Sequence, residues 1–164
     1  MKKRTSDSAF RLLLVLLLST AALLSSCKKD YEEIDDKLIK KYLDDNKITN
    51  AQRQESGLYL VPIATNETAI MPVAGQTVSV LYTGKFLDGT VFDASSLRSN
   101  APTTFELGRG RVIKGWDQGI ALMHKGDKAV LLIPSALAYG KEGRSPTIPS
   151  NTVLQFAVEL VGIQ

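Results

Sequence analysis

Apolar residues in this chain follow two different periods. Over residues 34–43 they recur at helical spacing: Ile34, Leu38 and Tyr42 lie four apart, with Ile39 and Leu43 beside them. This predicts a narrow amphipathic helix. Asp30, Glu32, Glu33, Asp35 and Asp36 load its start and Lys37, Lys40 and Lys41 follow, an order that suits the helix dipole. From Gly57 onward the texture changes to strands and turns. Leu58–Ile63 alternates weakly as a first strand, with Pro62 marking an edge or bulge. In Thr77–Tyr82 the residues Val78, Val80 and Tyr82 share a face. Asp88-Gly89 reads as a hairpin turn, Ser95–Pro102 as a polar flap, Thr104–Leu107 as a short strand and Gly108–Arg111 as a turn. Ile113, Trp116, Ile120 and Met123 return to helical spacing. That helix contains Gly115 and Gly119, each costing about 1 kcal/mol against alanine, so it is expected to pack closely on a sheet. Asp127–Ile133 is a strand, Pro134–Pro149 a long loop, and Thr152–Val161 a last strand with Leu154, Phe156, Val158 and Leu160 on one face. One short helix on a curved, mainly antiparallel half-barrel sheet is an α+β fold.

The N-terminus bears on compartment. Met1-Lys2-Lys3-Arg4 is basic, and Leu12–Leu24 is almost wholly apolar. A positive n-region, a short apolar run and small residues after it describe a secretory signal. Cys27 is the only cysteine, so it has no internal disulfide partner. Leu24-Ser25-Ser26-Cys27 is similar to the bacterial lipobox, in which the cysteine is lipidated and becomes the mature N-terminus. The chain is thus expected to divide into a lipoprotein signal (1–26), a charged helical stalk (27–55) and a folded domain (56–164). The stalk reads as a solvated spacer or as a dimerisation helix, and its acidic start is similar to surface-export signals of some lipoproteins. Lipidation would place the domain in the cell envelope, with the outer membrane of a Gram-negative bacterium the expected destination.

Net charge looks basic at +3, but the whole excess lies in residues 1–26; beyond them 16 basic and 16 acidic residues balance. The nucleic-acid class is therefore set aside. Gly108-Arg109-Gly110 has no third glycine at the required offset and is no nucleotide loop. His124, the only histidine, falls in a polar turn, is expected exposed, and has no neighbour for a metal site. Asp117 is read as decoration of the helix surface. No metal or cofactor is called for.

Five aromatics and a carboxylate spread over the strand–turn units are what a small apolar pocket needs: Tyr82, Phe92, Trp116, Tyr139 and Phe156, with Asp93. A carboxylate directly after a buried Phe needs partners, and Tyr82 and Arg98 are the candidates. No nucleophile–base pair accompanies the set.

Tyr82-Thr83-Gly84, Phe92-Asp93-Ala94-Ser95, Val112-Ile113-Lys114-Gly115-Trp116, Ala138-Tyr139-Gly140, Ile148-Pro149 and Phe156-Ala157-Val158-Glu159-Leu160 stand in a fixed order over a hundred residues. In that order and spacing they resemble an FKBP-type peptidyl-prolyl cis–trans isomerase domain, and with the stalk they are similar to the membrane-anchored bacterial branch. The resemblance implies a pocket with Trp116 as floor under a substrate proline and Tyr82, Phe92 and Phe156 as walls. It implies donors at the Ile113 N–H and the Tyr139 hydroxyl, Val112 in the lining, and Arg98 and Ile148 near the rim. It implies proline-containing polypeptides as substrates, macrolides such as rapamycin as ligands, and non-covalent catalysis by desolvation. A non-catalytic chaperone or binding module on the same fold is the alternative. Thr103 stands where many eukaryotic members carry an aromatic, and Arg144 near a position often held by histidine.

Overall fold

The computed structural model describes residues 31–164; the signal segment and Cys27 lie outside the described residues. Residues 31–45 form a helix, α1. Seven antiparallel strands follow: β1 (Gln52–Arg53), β2 (Tyr59–Ala64), β3 (Thr77–Lys85), β4 (Val91–Ala94), β5 (Thr103–Glu106), β6 (Lys128–Ile133) and β7 (Leu154–Ile163). A second helix, α2 (Lys114–Ile120), lies between β5 and β6. The sheet order is β1-β2-β6-β7-β3-β4, and β5 pairs with the other half of the β3 edge. This is the expected curved sheet wrapped on a short helix.

Alternation along the strands sends one set of side chains to each face. On the inner face Leu58, Leu60, Val78, Val80, Leu131, Ile133, Leu154, Phe156, Val158 and Leu160 join Trp116 and Ile120 of α2 in the main core. The helical glycines permit this contact. A Cβ on Gly115 would stand 2.4 Å from Ile133 Cγ2, and one on Gly119 2.6 Å from Leu131 Cδ1. The helix ends at Ile120, and Met123, expected to continue its helical spacing, reaches the same core from the turn that follows. The Asp88-Gly89 hairpin forms as expected, with Gly89 at φ 91° and the Asp88 carboxylate accepting the Thr90 N–H at 2.8 Å.

The outer face carries a second core. Ile39 and Leu43 of α1 pack on Tyr59, Val61, Leu132 and Val153. Residues expected to form a solvated stalk are therefore part of the fold. The stripe that docks is Asp35, Ile39 and Leu43, while Ile34 and Leu38 stay exposed. Asp36 accepts hydrogen bonds from Tyr59 Oη and Arg53 Nε, both at 2.8 Å, and Tyr42 Oη donates to Gln155. Gln52 and Arg53 pair with Leu60 and Tyr59, so the sheet begins ahead of the expected boundary at 56. The weak alternation of β2 has the same cause. With helices on both faces, Tyr59, Leu60 and Val61 are all buried and the period of two is lost.

Candidate functional site

The β3–β4 register sets Gly84 opposite Asp93, and the β3–β7 register sets it opposite Phe156. A Cβ on Gly84 would lie 2.8 Å from both Phe92 and Phe156, so only glycine lets the two rings close over the strand. Phe92 and Phe156 meet edge to face at 5.5 Å, Phe156 and Trp116 at 5.3 Å, and Trp116 and Tyr82 at 4.9 Å. These edge-to-face contacts suit the ring quadrupoles and hold the walls rigid. The rings border a cavity of about 200 Å³ lined by Tyr82, Phe92, Asp93, Val112, Ile113, Trp116, Tyr139 and Phe156, together with Thr103, Arg111 and Arg144. Phe86 backs Phe92 at 5.1 Å and Phe105 backs Trp116 at 5.8 Å.

Trp116 is buried at the α2 N-terminus, where Ile113 is the N-cap residue. The first N–H groups of a helix have no intrahelical acceptor, so this end presents donors beside the cavity. Asp117 determines how the chain enters that end. Its carboxylate accepts the N–H groups of Gly108 and Gly110 at 2.9 and 3.0 Å. Read as surface decoration, it is instead the clamp on the turn that leads to Val112 and Ile113.

Asp93 has both expected partners. Tyr82 Oη donates to it at 2.6 Å and Arg98 Nη1 at 2.9 Å, and Arg98 also donates to the Tyr82 hydroxyl. Burial pushes the Asp93 pKa up, but the hydrogen bonds and charge of Tyr82 and Arg98 outweigh it and hold the carboxyl below its ordinary range. Burial and the Asp93 hydrogen bond push the Tyr82 phenol upward. At neutral pH the unit is a carboxylate, a phenol and a guanidinium.

Eight of the ten residues expected at the pocket line the cavity, and Arg98 is joined to it through its hydrogen bonds to Asp93 and Tyr82. Ile148 does not lie at the rim. Its backbone bridges Arg144 in a tight antiparallel turn, and its side chain is buried in the main core. His124 is partly buried, with its N–H and ring on Asp127 at 2.8 and 3.3 Å. Arg111 was legible only as part of a turn; nothing in its local sequence marks it as cavity lining.

The sheet closes on one helix, and an aromatic cavity with backbone N–H donors at its edge lies between them. The profile of the FKBP-type peptidyl-prolyl cis-trans isomerases matches residues 68–161. FK506-binding protein 2 of Yarrowia lipolytica is 57% identical over 89 residues, 54% of this chain and 61% of that protein. Peptidyl-prolyl cis-trans isomerase Fkbp12 of Drosophila melanogaster is 44% identical over 108 residues, 66% of this chain and 99% of that protein. The crystal structure of AtFKBP13 superposes with a TM-score of 0.65 at 38% identity, covering 71% of this chain and all of that one. This chain belongs to the FKBP-type peptidyl-prolyl cis–trans isomerase family. It spans about three fifths of the length of the Yarrowia relative.

Proposed function

We propose that this protein catalyses rotation about X–Pro bonds in polypeptides of the cell envelope. The aromatic cavity carries this reading. C–N resonance sets a barrier of about 18–20 kcal/mol, and the planar amide is more charge-separated than the twisted one. Moving the bond from water onto Trp116, between Tyr82, Phe92 and Phe156, destabilises the planar form relative to the twisted one. The Ile113 N–H and the Tyr139 hydroxyl hold neighbouring carbonyls while the bond turns. Asp93, fixed by Tyr82 and Arg98, orients the Tyr82 wall. The catalysis is differential binding of the twisted state, with no covalent intermediate. Uncatalysed exchange takes tens to hundreds of seconds, slow enough to limit folding of an exported chain. The test is NMR exchange of a Leu-Pro peptide with and without rapamycin. Acceleration that rapamycin abolishes is expected; rates equal to the free peptide would leave the chaperone alternative.

The localisation belongs to the same proposal. Leu24-Ser25-Ser26-Cys27 after an apolar segment supports lipidation at Cys27 and an outer-membrane anchor. Only Lys28, Lys29 and Asp30 separate Cys27 from the first described helical residue. With α1 docked on the sheet, four extended steps reach at most about 14 Å, so the anchored domain sits close to the lipid surface. Mass spectrometry of the mature N-terminus tests this: an acylated Cys27 is expected, and any other N-terminus overturns the anchor.

A further inference from the structure

The mouth of the cavity is cationic. Three charged side chains line it: Asp93, Arg111 and Arg144. Asp93 is neutralised by its ion pair with Arg98. Neither Arg111 nor Arg144 has an ion-pair partner among the described residues. Acidic groups nearby in sequence are engaged elsewhere: Glu106 pairs with Arg109 at 3.0 Å, Asp117 binds the Gly108 and Gly110 amides, and Glu142 lies 3.8 Å from Lys141. The Arg144 guanidinium lies over the Tyr139 ring, 5.9 Å from its centroid, which holds this cation at the cavity edge. Arg111 is carried on the turn clamped by Asp117, directly before Val112 and Ile113. Two exposed, uncompensated cations thus flank an apolar pocket, and they come from two separate segments of the chain.

We infer that Arg111 and Arg144 determine substrate charge, favouring X–Pro segments in which X is Glu or Asp over those in which X is Lys or Arg. The inference rests on the isomerase reading. With a proline ring on the aromatic floor, the residue joined across the rotating bond has its side chain at the mouth. A carboxylate there is attracted by both guanidinium groups and an ammonium is repelled by both. At 6–8 Å in a high-dielectric setting each pair of unit charges changes affinity by roughly two- to threefold. Two attractions set against two repulsions, partly screened, separate Glu-Pro from Lys-Pro by about tenfold at low ionic strength. Apolar X remains accepted, because its contact is with the ring walls.

The experiment measures kcat/KM of the full chain on three peptides, Ala-Leu-Pro-Phe, Ala-Glu-Pro-Phe and Ala-Lys-Pro-Phe, by NMR exchange at about 20 mM and 500 mM salt. The expected result is a Glu-to-Lys ratio of about ten at low salt that shrinks at high salt. In Arg111→Gln/Arg144→Gln the ratio falls to about one, and each single variant gives an intermediate value. A wild-type ratio near one with Leu-Pro accelerated overturns the inference and leaves the isomerase reading standing. A ratio unchanged in the double variant overturns the assignment to these two residues. Failure to accelerate even Leu-Pro removes both.

Discussion

Asp35→Ala should destabilise the protein by about 2–3 kcal/mol, although residue 35 lies in a helix that reads from sequence as a solvated spacer. The Asp35 side chain is 1% exposed. Its Oδ2 accepts the Ser135 N–H at 2.8 Å and the Ser135 hydroxyl at 2.6 Å, across a hundred residues of chain. Two hydrogen bonds to a charged group contribute about 1.5–3 kcal/mol each. The other oxygen, Oδ1, is buried without a partner among the described residues, and burying a carboxylate costs several kcal/mol, so the intact arrangement is only modestly favourable. Removing the carboxylate relieves that cost but strands two buried donors of Ser135, at about 1–3 kcal/mol each. Loss of the two hydrogen bonds together with the stranding of their donors outweighs that relief. Asp35→Asn keeps an acceptor for Ser135 and should lose less than alanine. Asp35→Ala/Ser135→Ala strands one donor fewer and should recover about 1 kcal/mol. Urea unfolding followed by fluorescence of Trp116, the only tryptophan, reads all of this, with an unchanged m-value confirming the same two states. Ser135 opens the short helical turn Ser135–Leu137, a few residues before Tyr139, so KM for a Leu-Pro peptide should also rise. An Asp35→Ala protein within 0.5 kcal/mol of wild type would refute the reasoning and mean that α1 does not hold the sheet in solution.

Asp93→Leu should lower kcat/KM at least tenfold, about 1.4 kcal/mol of transition-state binding, because Tyr82 and Arg98 lose the group that aligns them; near-wild-type circular dichroism with full activity would deny the carboxylate that role. Gly119→Ala should cost about 1–3 kcal/mol by overpacking against Leu131, seen as a lowered Tm, and an unchanged Tm would mean that α2 can shift freely on the sheet. Acid should loosen α1 first. Burial raises the Asp36 pKa, but hydrogen bonds from Lys40, Arg53 and Tyr59 outweigh this and bring it down to about 2. A depressed carboxyl pKa stabilises the fold above the unfolded value near 4, and that contribution is lost as pH falls from about 4 toward 2. Asp36→Asn should therefore be less stable than wild type at pH 7, with most of the difference gone by about pH 2; a constant difference at both would contradict the linkage.

Local pattern was enough wherever an element's environment is one-sided or its chemistry is backbone chemistry. β7 faces the core on one side only, so Leu154, Phe156, Val158 and Leu160 announced their face by alternation, and the structure buries all four. The Asp88-Gly89 turn follows from the freedom of glycine at positive φ. Gly115 and Gly119 signalled a helix pressed on a sheet because glycine is otherwise costly there; the aromatic set with Asp93, each ring of which reads alone as ordinary core, was identified as a pocket only through the resemblance of its ordered fragments to the FKBP-type domain. Long-range packing settled the rest. The narrow apolar stripe of α1 has two edges, Ile34 and Leu38 on one and Ile39 and Leu43 on the other, and only the outer face of β2 and β6 selects Ile39 and Leu43 for burial. Asp35 is buried because Ser135, a hundred residues away, supplies its donors. Asp117 turns from decoration into a clamp because the chain before α2 folds back onto it. Ile148 moves from rim to core because its loop closes on Arg144. Arg111 and Arg144 become one cationic mouth because two segments 33 residues apart meet at the same cavity. Hydrophobic period reports whether a side chain meets water or protein; it carries no information about which distant group supplies the protein, and for charged residues that partner determines the role.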